Sequence, residues 1–126
     1  MKIVVDTSVL IDHLRGVDAA VRLLAESLGH NHELWSSTLV RTEILAGMRD
    51  SERGPTTLLL GTVRWQEVTI SVADRAGELA RKYLRSQPGI DTVDYVLAAT
   101  TEALGARLYT LNVKHFPMIK SLRAAY

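Results

Sequence analysis

The run Ile3-Val4-Val5, broken at once by Asp6-Thr7-Ser8, constrains this chain more than any other stretch. Three consecutive apolar residues leave no polar face, so the segment reads as a central strand of a parallel sheet covered on both sides. Asp, Thr and Ser are all good helix-capping residues, so the strand passes directly into a helix. That helix runs through Val9, Leu10 and Leu14 to a stop at Gly16.

The same alternation continues along the chain. A second helix is predicted from about Asp18 to Leu28, burying Val21, Leu24, Ala25 and Leu28 at helical spacing. Gly29 to His32 is a turn, Leu34-Trp35-Ser36 a short strand, and Ser37 or Thr38 caps a helix that reaches Met48. The polar, breaker-rich stretch from Asp50 to Pro55 reads as a loop. Next come a short helix with Leu58-Leu59-Leu60, a strand near Val68 to Ile70, a long helix from about Ser71 to Arg85, and a loop over Ser86 to Ile90. A last helix starts near Asp91 and ends by Gly105, and Arg107 to Leu111 forms the final strand. Strands alternating with helices predict an α/β fold, a short and mainly parallel central sheet sandwiched between helices.

The 126 residues suit one domain spanning 1–126. The absence of cysteine excludes a disulfide, a thiolate metal site and a cysteine nucleophile. No apolar run approaches membrane-spanning length and Met1 to Asp6 breaks too early for a signal peptide, so a cytoplasmic protein is expected, with no membrane partner.

Four carboxylates stand in apolar surroundings. Asp6 ends the first strand, and in open α/β sheets ligands bind at the carboxyl ends of strands. Asp6 can serve as a plain N-cap, although Thr7 and Ser8 make a third capping side chain redundant. In the third helix, positions 39, 40, 43, 44 and 47 share a face on which Glu43 accompanies Leu39, Val40, Ile44 and Gly47. Either Glu43 is turned inward with a partner, or it lies at the helix edge with its stem packed and its carboxylate in water. Asp94 shares the face of Leu97, Ala98 and Thr101, with Asp91 one turn before it; the two acids have the spacing of a capping box. For Asp91 the cap is the main expectation.

Acids gathered at strand ends repel, and some stay protonated unless a cation intervenes. No lysine or arginine shares these helix faces, so a hard divalent ion with oxygen ligands is the natural partner, Mg²⁺ or Mn²⁺ rather than Zn²⁺. Such an ion activates water and stabilises charge on a phosphoryl group, which makes phosphodiester hydrolysis the leading chemistry. Setting those four acids aside leaves 15 basic against 10 acidic side chains, so a formal charge of only +1 is compatible with a surface that attracts a phosphate backbone. His30 and His32 in their polar turn lack a third ligand, and Asp12 and His13 are expected to face solvent, although Asp12 could approach the site. Phosphate-binding glycine loops, dinucleotide fingerprints and serine-hydrolase elbows are absent.

Taken in order, V-V-D-T-S-V-L-I-D, T-E-I-L-A-G-M, and D-Y-V-L-A-A-T followed by L-Y-T-L-N-V-K-H-F-P resemble the PIN-domain nucleases, and among them the VapC toxins of bacterial toxin–antitoxin pairs. The resemblance covers essentially the whole chain. It implies a PIN-like three-layer sandwich and an Mg²⁺- or Mn²⁺-dependent endoribonuclease acting on RNA, with Asp6, Glu43 and Asp94 as its catalytic, metal-binding acids. Thr7 or Ser8 matches the small hydroxyl that supports the first aspartate. At the position of a frequent fourth acid this chain has Asn112, a neutral supporting group, so one firmly bound metal is expected and Asp91 is a candidate additional ligand. The resemblance further implies a homodimer and a cognate VapB-type antitoxin, joined in a heterotetramer or larger assembly. Val21, Leu24, Leu28 and Leu58 to Leu60 exceed what one small core needs and can line a groove for an antitoxin segment.

Overall fold

The computed structural model describes all residues from Met1 to Tyr126. Four strands, β1 (Lys2–Val5), β2 (Glu33–Ser37), β3 (Arg64–Gln66) and β4 (Arg107–Tyr109), form one parallel sheet in the order β3-β2-β1-β4. Ile3, Val4 and Val5 are each fully buried. Because successive side chains point to opposite faces of a sheet, both faces of β1 are covered, as its uniform composition requires.

The helices are α1 (Thr7–Leu14), α2 (Asp18–Gly29), α3 (Thr38–Gly47), α4 (Arg53–Thr62), α5 (Ile70–Tyr83) and α6 (Thr92–Ala103). α6 supplies an almost unbroken buried run from Tyr95 to Thr101, lies against β1, β2 and β4, and carries α5 on its outside. α2 rests on β2, with α1 beside it and α3 and α4 against α1. One continuous core of 23 buried apolar residues joins these layers. The chain starts in the middle of the sheet, moves out through β2 and β3, then returns to place β4 on the other side of β1. The strand order therefore reverses between β1 and β4, where Val5 pairs with Tyr109. A crevice at the carboxyl ends of two such strands is the usual ligand site of open α/β sheets.

Several details differ from the sequence reading. The third strand is Arg64–Gln66 rather than Val68 to Ile70: Ser36 pairs with Trp65, while Thr69 caps α5 by accepting a hydrogen bond from Val72 N at 3.1 Å. An edge strand of three residues needs no apolar run, so β3 left no hydrophobic signature. The expected loop from Asp50 to Pro55 is instead a 3₁₀ turn, Asp50–Glu52, leading into α4, with Pro55 in its first turn where a missing N–H is harmless. The last strand stops at Tyr109, before Leu111. On α2 the buried residues are Ala20, Leu24 and Ser27, whereas Val21, Ala25 and Leu28 are exposed. These three and the 76% exposed Leu58 line an open apolar groove between α2 and α4 of about 380 Å³, walled also by Leu34, Leu59 and His13.

Candidate active site

Asp6 occupies the reversal point. Its backbone N–H donates to Tyr109 O at 2.9 Å, fixing it beside the end of β4, and it caps α1 with Oδ1 accepting from Thr7 N at 2.7 Å. Its other oxygen, Oδ2, accepts from Thr110 Oγ1 at 2.7 Å and from Ser8 Oγ at 3.3 Å. Both hydroxyls are themselves held, because Ser8 Oγ accepts from Leu111 N at 3.2 Å and Thr110 Oγ1 from Asn112 N at 2.9 Å. A carboxylate only 5% exposed is thus oriented from a strand, a helix and the segment after the neighbouring strand. Although Thr7 and Ser8 are also good caps, Asp6 is the residue that takes the cap.

Glu43 reaches the same region from α3 by a different route. It is exposed, which selects the helix-edge alternative, and Gly47 on the face assigned to it is exposed as well. Thr7 Oγ1 donates to Glu43 Oε1 at 2.8 Å, so Thr7 links the two acids with its N–H on Asp6 and its hydroxyl on Glu43.

Asp91 and Asp94 open α6 as a reciprocal capping box: Asp94 N donates to Asp91 Oδ1 at 3.1 Å, and Asp91 N to Asp94 Oδ2 at 3.2 Å. The Asp94 side chain is only 13% exposed and has His115 Nδ1 at 3.2 Å from Oδ2. Burial pushes its pKa up to about 6, and the charges of Asp91 and Asp6 act in the same direction, against the Asp91 N–H and His115. The influence of Asp6 places both carboxylates in one electrostatic field. His115 is the only basic side chain within ion-pair distance of any of the four acids.

Two of these participants, Thr110 and His115, escaped the sequence reading. Thr110 follows β4 directly, so strand-end position was a usable signal; His115 lies in a 3₁₀ turn, Val113–His115, whose direction no periodicity foretells. Asn112 is exposed and joins the network through its backbone. Asp12 and His13 do not simply face solvent: Asp12 accepts from Tyr126 Oη at 2.6 Å, and His13 lines the α2–α4 groove, its buried Nδ1 without a partner.

No three acidic or histidine side chains are gathered closely enough to cage an ion unaided. The donor set still fits Mg²⁺ or Mn²⁺, since Mg²⁺ is commonly held by one or two carboxylates, with waters and substrate phosphate completing the octahedron. The pKa of Asp94, raised chiefly by burial and further by the charges of Asp91 and Asp6, marks a carboxylate whose ionised form a bound cation would favour.

The PIN domain family model matches residues 3–117. The chain belongs to the PIN-domain family. Ribonuclease VapC19 of Mycobacterium tuberculosis (strain H37Rv) is 46% identical over 122 residues, covering 97% of this chain and 98% of that protein. Ribonuclease VapC10 of the same strain is 42% identical over 124 residues, covering 98% of this chain and 92% of that one. Among solved structures, VapBC2 from Rickettsia felis bound to a DNA fragment from their promoter superposes with a TM-score of 0.79 at 23% identity, over 98% of this chain and 97% of the other. At that identity the likeness speaks for the fold, a PIN sandwich whose four-stranded parallel sheet is flanked by helices.

Proposed function

We propose that this PIN-domain protein is a divalent-metal-dependent endoribonuclease and the toxin of a toxin–antitoxin pair, hydrolysing RNA phosphodiester bonds at Asp6, Glu43 and Asp94. The observation that carries this reading is the placement of Asp6 and Asp94 at the N-termini of two helices, in one electrostatic field, where the sheet order reverses. Two helix N-termini favour an anionic ligand, while the neighbouring carboxylates favour a cation; a divalent ion together with a phosphate would satisfy both. The names of the two Mycobacterium relatives, both ribonucleases at above 40% identity, support the substrate class.

Asp6 and Asp94 would hold one Mg²⁺ or Mn²⁺, with Asp91 one turn away as an additional ligand. When bound, the ion lowers the pKa of a coordinated water and offsets the charge that develops on the phosphoryl oxygens. Glu43, exposed and tied to Thr7, would accept the proton of the attacking water. Thr7, Ser8 and Thr110 fix the orientation of Asp6, and Asn112 supports it through the bond from its backbone N–H to Thr110 Oγ1. The test is cleavage of total cellular RNA by purified protein with end mapping. Wild type should cleave only with Mg²⁺ or Mn²⁺, and Asp6→Asn and Asp94→Asn should be silent while keeping wild-type circular dichroism. Full metal-dependent activity in both variants would refute the assignment.

The α2–α4 groove supports an antitoxin partner. Its walls are apolar, and burial biases the His13 imidazole that lines it toward the neutral form. An amphipathic segment of a VapB-type antitoxin fits such a groove. Leu58→Glu should abolish antitoxin binding and leave RNA cleavage intact; undiminished binding would remove the groove from the interface.

The outer face of α5 supports a homodimer. The helix's inner face buries Val72, Ala76 and Leu79, yet a second apolar seam runs along its side, with Ile70, Ala73, Gly77 and the C-cap Leu84 exposed and Ala80 half-buried. The seam reads large-small-small-small-large and is nearly symmetric about Gly77, so an antiparallel second copy would set each Ile70 against its partner's Leu84, with the exposed Asp74 and Arg81 of opposite copies in reach. Light scattering should give twice the 13.9 kDa chain mass, and Gly77→Glu the monomer value. Two such toxins with their antitoxins would form a heterotetramer or larger assembly.

A further inference from the structure

Residues beyond Phe116, largely outside the matched family region of 3–117, do not trail into solvent. Met118, Ile119, Leu122 and Ala125 pack against the core, and two hydrogen bonds fasten the end of this tail. Ala125 N donates to Thr110 O at 3.0 Å, and Tyr126 Oη donates to Asp12 Oδ2 at 2.6 Å, the length of a charge-assisted bond. The first bond fixes the residue whose hydroxyl holds Asp6 Oδ2 at 2.7 Å. The second grips α1, whose first turn carries Thr7 and Ser8, the other two groups bonded to Asp6. The tail therefore spans the junction of the two elements that jointly aim the carboxylate.

We propose that Tyr126 is a positioning residue: through Asp12 it latches the tail across α1 and the end of β4 and so holds the Asp6 carboxylate in its working orientation. Tyr126 is 39% exposed, and its partial burial, followed by the bond to Asp12, pushes the phenol pKa upward, so the hydroxyl remains a donor throughout the physiological range. The effect is indirect, passing through Asp12 and α1 on one side and through Ala125 and Thr110 on the other. It rests on the reading of Asp6 as a functional acid, but the coupling of the tail to Asp6 is a property of the fold and is measurable without activity.

The experiment compares full-length wild type with Tyr126→Phe, Asp12→Ala, Asp12→Asn and Leu122→Ala. Amide exchange over residues 6–10 is read on metal-free protein, together with Mn²⁺ affinity by calorimetry and the kcat and KM of RNA cleavage. Tyr126→Phe should speed exchange at 6–10 and lower kcat by about three- to tenfold, less than the full worth of one hydrogen bond to a charged group because the effect reaches Asp6 indirectly, with KM unchanged. It should also weaken Mn²⁺ binding. Asp12→Ala should match it, their combination should add nothing, and Asp12→Asn, which keeps an acceptor, should stay near wild type. Leu122→Ala removes tail packing without touching the latch, so it should lower Tm and leave both readouts in place. Wild-type exchange and kcat in Tyr126→Phe would overturn the proposal, as would a Leu122→Ala variant that reproduces its changes. A wild-type protein that cleaves no RNA would remove the functional reading instead, and the exchange comparison would still decide the latch.

Discussion

Asp6 and Asp94 both sit at helix N-termini and share one field, yet the protein treats them differently. Asp6 is buried and takes hydrogen bonds from Thr7, Ser8 and Thr110, donors supplied by two elements and themselves held in place. Asp94 is bonded only by the backbone of Asp91 and by His115, and its pKa is pushed up to about 6. One carboxylate is fixed in direction, while the other is left adjustable in charge. The proposed metal site would benefit from both: a rigid ligand would set the position of the ion, and a neighbour that readily gains or loses a proton would ease repulsion between the two carboxylates.

If orientation is what matters at Asp6, removing one of its donors should be expensive. Thr110→Val keeps the shape of the buried side chain but deletes the 2.7 Å bond to Oδ2 and the acceptor for Asn112 N. Loss of such a supporting partner lowers activity or metal affinity by about 10–100-fold in metal sites. Cleavage rate against Mn²⁺ concentration reads both quantities. A Thr110→Val enzyme with wild-type kinetics would show that Asp6 needs no holding.

The charge of Asp94 makes the second, smaller prediction. A metal ligand must be deprotonated, so at low metal concentration cleavage should fall by up to about tenfold per unit as pH drops below about 6. Excess metal competes with the proton and should move the midpoint to lower pH. The stability of the metal-free protein runs the opposite way. A raised pKa means the folded state holds a proton that the unfolded state has lost, between the ordinary value of 3.8 and about 6. The Asp94 contribution is therefore complete below the lower value and lost as pH rises through the upper one. Chemical denaturation at pH 5 and pH 7, with Asp94→Asn as reference, isolates it; a wild type with no pH dependence relative to the variant would contradict the raised pKa.

How much of this was legible beforehand follows the same division. The strand that delivers Asp6 announced itself, because three apolar residues ending in a capping acid have few other meanings, and the Asp91-x-x-Asp94 box was visible as a spacing. Periodicity also placed most helices. It failed at β3, where pairing to Ser36 stabilises a strand of Arg, Trp and Gln without an apolar pattern, and on α2, where apolar residues at helical spacing were divided between core and groove. Glu43 shows the limit most clearly: helical phase put it among apolar neighbours, but a side chain at the edge of a stripe turns to water when a partner such as Thr7 stands there. His115 and Thr110 reach the acids through a turn and a parallel pairing, long-range relations that local spacing does not encode.

Asp91 provides the finest test of the contrast, because cap and ligand make opposite forecasts for it. As a cap, it stabilises α6 through the bond from Asp94 N, and Asn serves nearly as well in that position. Asp91→Asn should then fold and cleave almost as wild type while removing one of the charges that raise Asp94, so the pH midpoint of cleavage should shift down by a fraction of a unit. Asp91→Ala, which loses the cap, should cost about 1 kcal/mol of stability in denaturant titration. If Asp91→Asn instead silences the enzyme as fully as Asp6→Asn, the carboxylate itself is required. The α6 terminus would then contribute two ligands rather than a ligand and its cap, and the adjustable half of the site would be the pair Asp91–Asp94 rather than Asp94 alone.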